Sequence, residues 1–125
     1  MIYGIGVDVV RIERIKEVLD RRKERFLNRV FTRQEIDFCR NRVHVIPCFA
    51  MRFAAKEAFS KALGTGMRHG IYWRQIEILH DKRGKPEFRL TGHALELIKQ
   101  ANISRLHLSL TDEGDYAAAM VVLEC

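Results

Sequence analysis

Residues 52–66 read RFAAKEAFSKALGTG, from Arg52 to Gly66, and the architecture follows from how this stretch folds. Alanine, lysine, glutamate and leucine are strong helix formers, and no proline or glycine interrupts them before Gly64. The spacing predicts a helix that starts near Pro47, runs to Leu63 and stops at Gly64. Phe49, Phe53 and Phe59, with the alanines between them, give it a wide apolar surface. Glu57 and Lys61 lie one turn apart and therefore share a face, with Phe53 a turn earlier and Ser60 between. A Glu–Lys pair at this spacing is also an ordinary surface pair, contributing about 0.2–0.5 kcal/mol. Spacing alone leaves both readings open.

Outward from this helix, the N-terminal run MIYGIGVDVV reads as a buried strand, Ile2 to Val10, yet it carries Asp8. A buried, unpaired carboxylate costs several kcal/mol, roughly, so Asp8 must reach the strand end, cap a helix or meet a cation. Arg11–Asp20 is predicted as a helix with the stripe Ile12, Ile15, Leu19, and Phe26–Phe31 as a short helical piece. Thr32 followed by Glu35 forms a capping box that opens a helix to about Arg40. Beyond Gly66, Ile71–His80 and Pro86–Leu90 read as antiparallel strands around a turn at Asp81–Lys85. Thr91 is expected to cap a helix to about Gln100, and Leu106–Leu110 and Tyr116–Leu123 to form a hairpin around residues 112–115. The whole is an α+β fold, an antiparallel sheet with helices packed on one side, in a single domain over residues 1–125.

Composition narrows the class. A chain of 125 residues with 47% hydrophobic and 30% charged residues suits one folded globular domain rather than a disordered segment. No apolar run reaches the roughly 18 residues of a membrane span, and the apolar start lacks a basic flank and a small-residue cleavage site. A cytoplasmic protein with no membrane association is therefore expected. Cys39, Cys48 and Cys125 are odd in number and lack CxxC spacing, which predicts free thiols and no structural zinc. The net charge of +6 is concentrated between Arg11 and Arg42, where eleven Lys or Arg face six Asp or Glu. Such a surface attracts an anionic partner, although a solvated helix face has the same composition. Aromatic residues interleave poorly with the basic ones and no nucleic-acid module is legible, so nucleic acid is not the expected partner.

GIGVDVVRIERI at the start, FAAKEAFSKALGTG in the middle, a GKP turn and HLSLTDEGDYAAAMVV at the end together resemble the holo-acyl-carrier-protein synthases, the small phosphopantetheinyl transferases. The resemblance spans almost the whole chain in order. It implies transfer of 4′-phosphopantetheine from coenzyme A to a serine of acyl carrier protein, releasing adenosine 3′,5′-bisphosphate, in support of fatty acid biosynthesis. By the same resemblance Asp8 and Glu57 would hold Mg²⁺, which takes one or two carboxylates and fills its shell with phosphate oxygens and water. Lys61 would contact a phosphate, and Glu57 or a metal-bound water would accept the serine proton. Arg52 corresponds to a position that contacts the 3′-phosphate, and Gly64, Gly84, Pro86 and His107 fall in segments near the nucleotide. Arg14 and Arg21, seven apart on one helix face, would dock the acidic carrier protein, with Arg11, Arg22 and Arg25 flanking. The family's small members are homotrimers with sites at subunit interfaces, where nucleotide contacts are shared with a neighbouring chain.

Several of these residues have plainer readings. Arg52 suits a solvated surface, Gly64 a helix C-cap, and Gly84–Pro86 a simple hairpin turn. Lys56, about 100° round the helix from Glu57, is assigned no more than a solvating role. His44, His69, His80 and His93 show no metal-ligand spacing and are expected to be structural. Some relatives carry histidine where this chain has Asp112, which leaves Asp112 without a role. A non-enzymatic adaptor using the basic patch is the competing class.

Overall fold

The computed structural model describes Met1–Cys125. In chain order the elements are β1 (Ile2–Arg11), α1 (Ile12–Arg22), α2 (Glu24–Val30), α3 (Arg33–Arg40), α4 (Val45–Leu63), β2 (Ile76–His80), β3 (Pro86–Leu90), α5 (Gly92–Gln100), β4 (Arg105–Glu113) and β5 (Tyr116–Glu124). The strands do not form one sheet. β1, β5 and β4 make an antiparallel sheet in that order, and β2 and β3 make a separate two-stranded one.

α4 is the centre of the molecule. Twelve of its nineteen residues are buried, so it is a core helix enclosed on nearly all sides rather than an amphipathic cover. Its second half packs with the sheets and α5, through Phe59, Leu63, Ile76, Ile98 and Val121 among others. Its first half packs with α1, α2 and α3, through Phe49, Phe31, Ile15 and Ile36.

Two glycines let α4 lie directly on β1. A Cβ on Gly4 would stand 1.9 Å from the Ala62 carbonyl oxygen, and one on Gly6 would stand 1.8 Å from that of Ala58. The periods match as well. Two strand residues advance roughly 6.6 Å and four helix residues roughly 6 Å, so Gly4 meets Ala62, Gly6 meets Ala58, and Asp8 comes next along the same face.

Only that face of β1 is covered. Ile5, Val7 and Val9 are about 60% exposed on the other side, with Met120 of β5 beside Val7. The N-terminal run is thus a half-buried strand with an open apolar face, not a fully buried one. Helices on one side of the sheet are borne out.

The Thr32–Glu35 capping box is present, with Thr32 N–H donating to Glu35 Oε1 at 2.9 Å and Glu35 N–H to Thr32 Oγ1 at 3.3 Å. Thr91 does stand at the N-cap of α5, but its side chain makes no capping bond. Gln75 Oε1 takes over that role, accepting from Ala94 N–H at 3.2 Å. The strand expected from Ile71 begins only at Ile76, because Trp73–Gln75 forms a 3₁₀ turn that stacks Trp73 on Phe53 at 4.9 Å.

Two expectations are overturned. Cys39 and Cys48 form a disulfide, since the short turn from the end of α3 to the start of α4 brings their Cα atoms to 5.5 Å, within the usual range for a bridge. CxxC spacing is unnecessary when two helix ends converge, and Cys125 alone remains free. Lys56 is fully buried instead of solvated, its Nζ 2.7 Å from Glu35 Oε1 and 3.0 Å from the Trp73 carbonyl oxygen. Glu35 Oε2 also accepts Ile78 N–H at 3.0 Å, so one ion pair ties α3, α4 and β2 together.

Candidate active site

The sequence-predicted residues gather in two places, joined by α4. At the first, Asp8 is carried to α4 by the glycine row of β1. Its Oδ1 accepts from Lys61 Nζ at 3.0 Å, and the same ammonium donates to the Val7 carbonyl oxygen at 3.2 Å. Lys61 is half exposed and Asp8 mostly covered. Glu57 is close enough to feel both. Burial pushes its carboxyl above the usual range, the Asp8 charge pushes it further, and Lys61 and Arg14 pull it back. Lys61 therefore pairs with a carboxylate on another element, not with the Glu57 one turn away. Ser60 is turned inward, its hydroxyl donating to the Glu57 carbonyl oxygen at 2.7 Å.

Two carboxyl groups held near one another, one of them resisting ionisation, form a donor set that a hard cation would relieve. Asp8 and Glu57 therefore fit Mg²⁺ in number and type. Arg14 and Arg21 are exposed on α1, with Arg14 near enough to act on Glu57.

The second place is a cleft of about 760 Å³ between the α3–α4 turn, the β2–β3 hairpin and β4. Arg52, Gly84 and Pro86 all line it, so three predicted nucleotide residues share one cavity. Arg42, His44 and Lys85 add to its basic character, and Asp112 supplies one opposing charge.

Arg52 is not a surface arginine. It is 2% exposed, and burial, its largest influence, lowers its pKa to about 10, against the opposing pull of Glu35. Nη1 donates to Cys48 Sγ at 3.3 Å, Nη2 meets His80 Nδ1 at 3.0 Å, and Nε has no partner. The guanidinium also lies over the Phe38 ring, 4.4 Å from its centroid. A buried cation with a spare donor and only neutral acceptors is poised for an anion.

Two predicted residues lie elsewhere. His107 is exposed on β4, where Nε2 stands 3.0 Å from Glu124 Oε1, and that hydrogen bond is the first cause of the lowered Glu124 carboxyl. Its register partner is Val122 on the open side of the sheet, outside the cleft. Gly64 ends α4 in a left-handed conformation, φ 87°. The N–H groups of Gly64, Thr65 and Gly66 all point to the Ser60 carbonyl oxygen at 3.1–3.2 Å, so helix capping uses the donors that a phosphate would need.

Sequence reading missed the roles of Lys56 and His80. A signal for the first was present: Phe49, Arg52, Lys56, Phe59 and Leu63 follow a three-four spacing, and all five are buried. A basic residue in an apolar stripe is a buried cation in search of a partner. Nothing comparable marks His80.

Comparison with known proteins bears on the family and the fold. A family model described as the 4′-phosphopantetheinyl transferase superfamily matches residues 4–121. A holo-[acyl-carrier-protein] synthase of Geotalea daltonii is 49% identical over 124 residues, covering 99% of each chain. The crystal structure of the corresponding synthase of Neisseria meningitidis superposes with a TM-score of 0.92 at 43% identity, covering all of both chains. That of Helicobacter pylori, in complex with coenzyme A, gives a TM-score of 0.85 at 32% identity, covering 96% of this chain and 99% of that one. With the family model matching residues 4–121 and the fold shared from end to end, this chain belongs to the 4′-phosphopantetheinyl transferase superfamily.

Proposed function

We propose that the protein transfers the 4′-phosphopantetheine of coenzyme A to a serine hydroxyl of an acidic acyl carrier protein, releasing adenosine 3′,5′-bisphosphate, in support of fatty acid biosynthesis in the cytoplasm. The observation that carries this reading is Arg52, buried at the wall of a basic cleft with an unpartnered donor. It suits the phosphate-rich nucleotide end of coenzyme A, with Gly84 and Pro86 at the same wall.

Asp8 and Glu57 would hold Mg²⁺, whose chemistry is to offset charge on the diphosphate as the phosphorus is attacked. Lys61, already beside Asp8, offers an ammonium to a phosphate oxygen. Glu57, beside Asp8 and Lys61, is the candidate acceptor for the serine proton. Arg14 and Arg21 supply positive charge on the adjoining helix for an acidic carrier protein.

The active form would be a homotrimer. Arg52 and Glu57 are five residues apart on α4, roughly 7.5 Å along its axis and 140° around it, so they face different directions. The Arg52 cleft is lined by none of Asp8, Glu57 and Lys61. A neighbouring copy resolves this if the carboxylates of one chain meet the cleft of the next, and the apolar face of Ile5, Val7, Val9 and Met120 offers a surface for that contact.

The test is mass spectrometry of an apo acyl carrier protein after incubation with coenzyme A, Mg²⁺ and the protein. A phosphopantetheine adduct on serine is expected, and it should be lost with chelator or with Asp8→Ala or Glu57→Ala. Arg14→Glu with Arg21→Glu should weaken carrier binding and spare nucleotide binding. If no adduct forms while the carrier still binds, the protein is an adaptor rather than an enzyme.

A further inference from the structure

His80, the last residue of β2, has no part in the reading above, yet it makes the shortest contact to Arg52. A guanidinium carries donors only. Nδ1 of His80, 3.0 Å from Nη2, must therefore present its lone pair, and the neutral ring carries its proton on Nε2. The ring lies flat against Phe38, centroids 4.6 Å apart and planes 9° from parallel. Phe38 thus packs against both members of the Arg52–His80 pair. The other partner of Arg52 is the sulfur of Cys48, a weak acceptor, so the imidazole is the one strong acceptor that sets the guanidinium's direction.

We propose that His80 is a positioning residue, which aims Arg52 at the phosphate end of the nucleotide by accepting its Nη2–H, and that this aim is lost when the ring takes up a proton. Protonation would set an N–H donor against an N–H donor and add a third positive charge to those of Arg52 and Arg42. The groups facing His80 favour the neutral ring. Burial lowers its pKa first, then Arg52 from α4 and Arg42 from the α3–α4 turn, while Asp81 opposes them. His44, Lys85 and Asp112 line the same cleft.

The inference rests on reading this cleft as the nucleotide site, and the experiment separates the two. Calorimetric titration of the protein with adenosine 3′,5′-bisphosphate and with adenosine 5′-monophosphate, between pH 5.5 and 8, should show that the bisphosphate binds more tightly. His80→Asn keeps an amide oxygen near the Nδ1 position and cannot take up a proton there, whereas His80→Leu removes the acceptor. His80→Leu should bind the bisphosphate roughly tenfold more weakly at pH 7.5, the loss expected for one charge-assisted hydrogen bond. His80→Asn should stay within about threefold of the unchanged protein at that pH. Phosphate protonation weakens binding at low pH in every variant, so the decisive quantity is the excess. The unchanged protein should lose several-fold more affinity than His80→Asn between pH 7.5 and 5.5. If the unchanged protein prefers the bisphosphate but all three proteins share one affinity and one pH profile, or binding strengthens as His80 protonates, the positioning role is refuted and the nucleotide site stands. If neither nucleotide binds, or the two bind equally, the site reading fails and this inference with it.

Discussion

Replacing Lys56 with methionine removes one charge from the interior while keeping nearly the same shape, and the structure fixes what should follow. The Lys56 and Glu35 side chains are both fully buried, with Nζ and Oε1 2.7 Å apart. Breaking a buried pair by removing one partner costs about 3–5 kcal/mol, because the remaining charge is left without compensation. Glu35 would retain Thr32 N–H and Ile78 N–H as donors, and methionine fills the space of the lysine stem, which places the loss near the lower figure, about 3 kcal/mol. For a chain of this length that is a fall in Tm of roughly 10 °C. Urea unfolding at fixed protomer concentration measures it, with the slope of the transition showing whether the unfolded reference has changed. Adding Glu35→Gln to Lys56→Met should recover part of the loss, because neither position then holds a charge without its partner. A cost below about 1 kcal/mol for Lys56→Met, with no coupling between the two positions, would refute the argument that this pair is held by compensation between charges.

Gly6→Ala should destabilise the protein by about 3 kcal/mol or more, the upper end of overpacking, since its Cβ would meet the Ala58 carbonyl oxygen at 1.8 Å and backbone cannot yield as a side chain does; the same urea experiment checks it. Asp8→Asn should lower the titration midpoint of Glu57, followed by carboxyl carbon NMR, because it removes the second cause of the rise and frees Lys61. The sign for stability follows: a carboxyl whose folded pKa is raised favours the fold below its ordinary value near 4.5, and that contribution is lost as pH rises through the folded value, so Asp8→Asn should narrow the window just above 4.5.

What the sequence revealed, it revealed through local rules. The end of α4 at Gly64, the capping box at Thr32 and Glu35, and the hairpin turns each depend on a few neighbouring residues, and all were legible. The association of Asp8 with the Glu57–Lys61 helix was legible only through the cost of burying a carboxylate and the family resemblance. The part left unread depends on which elements meet. Lys56 and Glu57 are adjacent in sequence and alike in polarity, yet one is sealed under α3 and the other stands beside Asp8. Cys39 and Cys48 pair because two helix ends converge, and His80 gains its partner because β2 ends beside α4. Apolar periodicity likewise could not tell that one face of β1 lacks a cover within the chain.

The pairing of β1 has a consequence for synthesis. Its only strand partner is β5, with Ile2 opposite Glu124, so β1 is completed by a strand more than a hundred residues further along the chain. During translation the Asp8 segment emerges early and waits without a neighbour, its valines and isoleucines open to other chains, until more than a hundred further residues have followed. Contacts of such long sequence separation form slowly. Glu57 and Lys61 lie on α4, far nearer in sequence to Asp8 than β5 is, yet Asp8 is fixed beside them only once β5 has paired with β1.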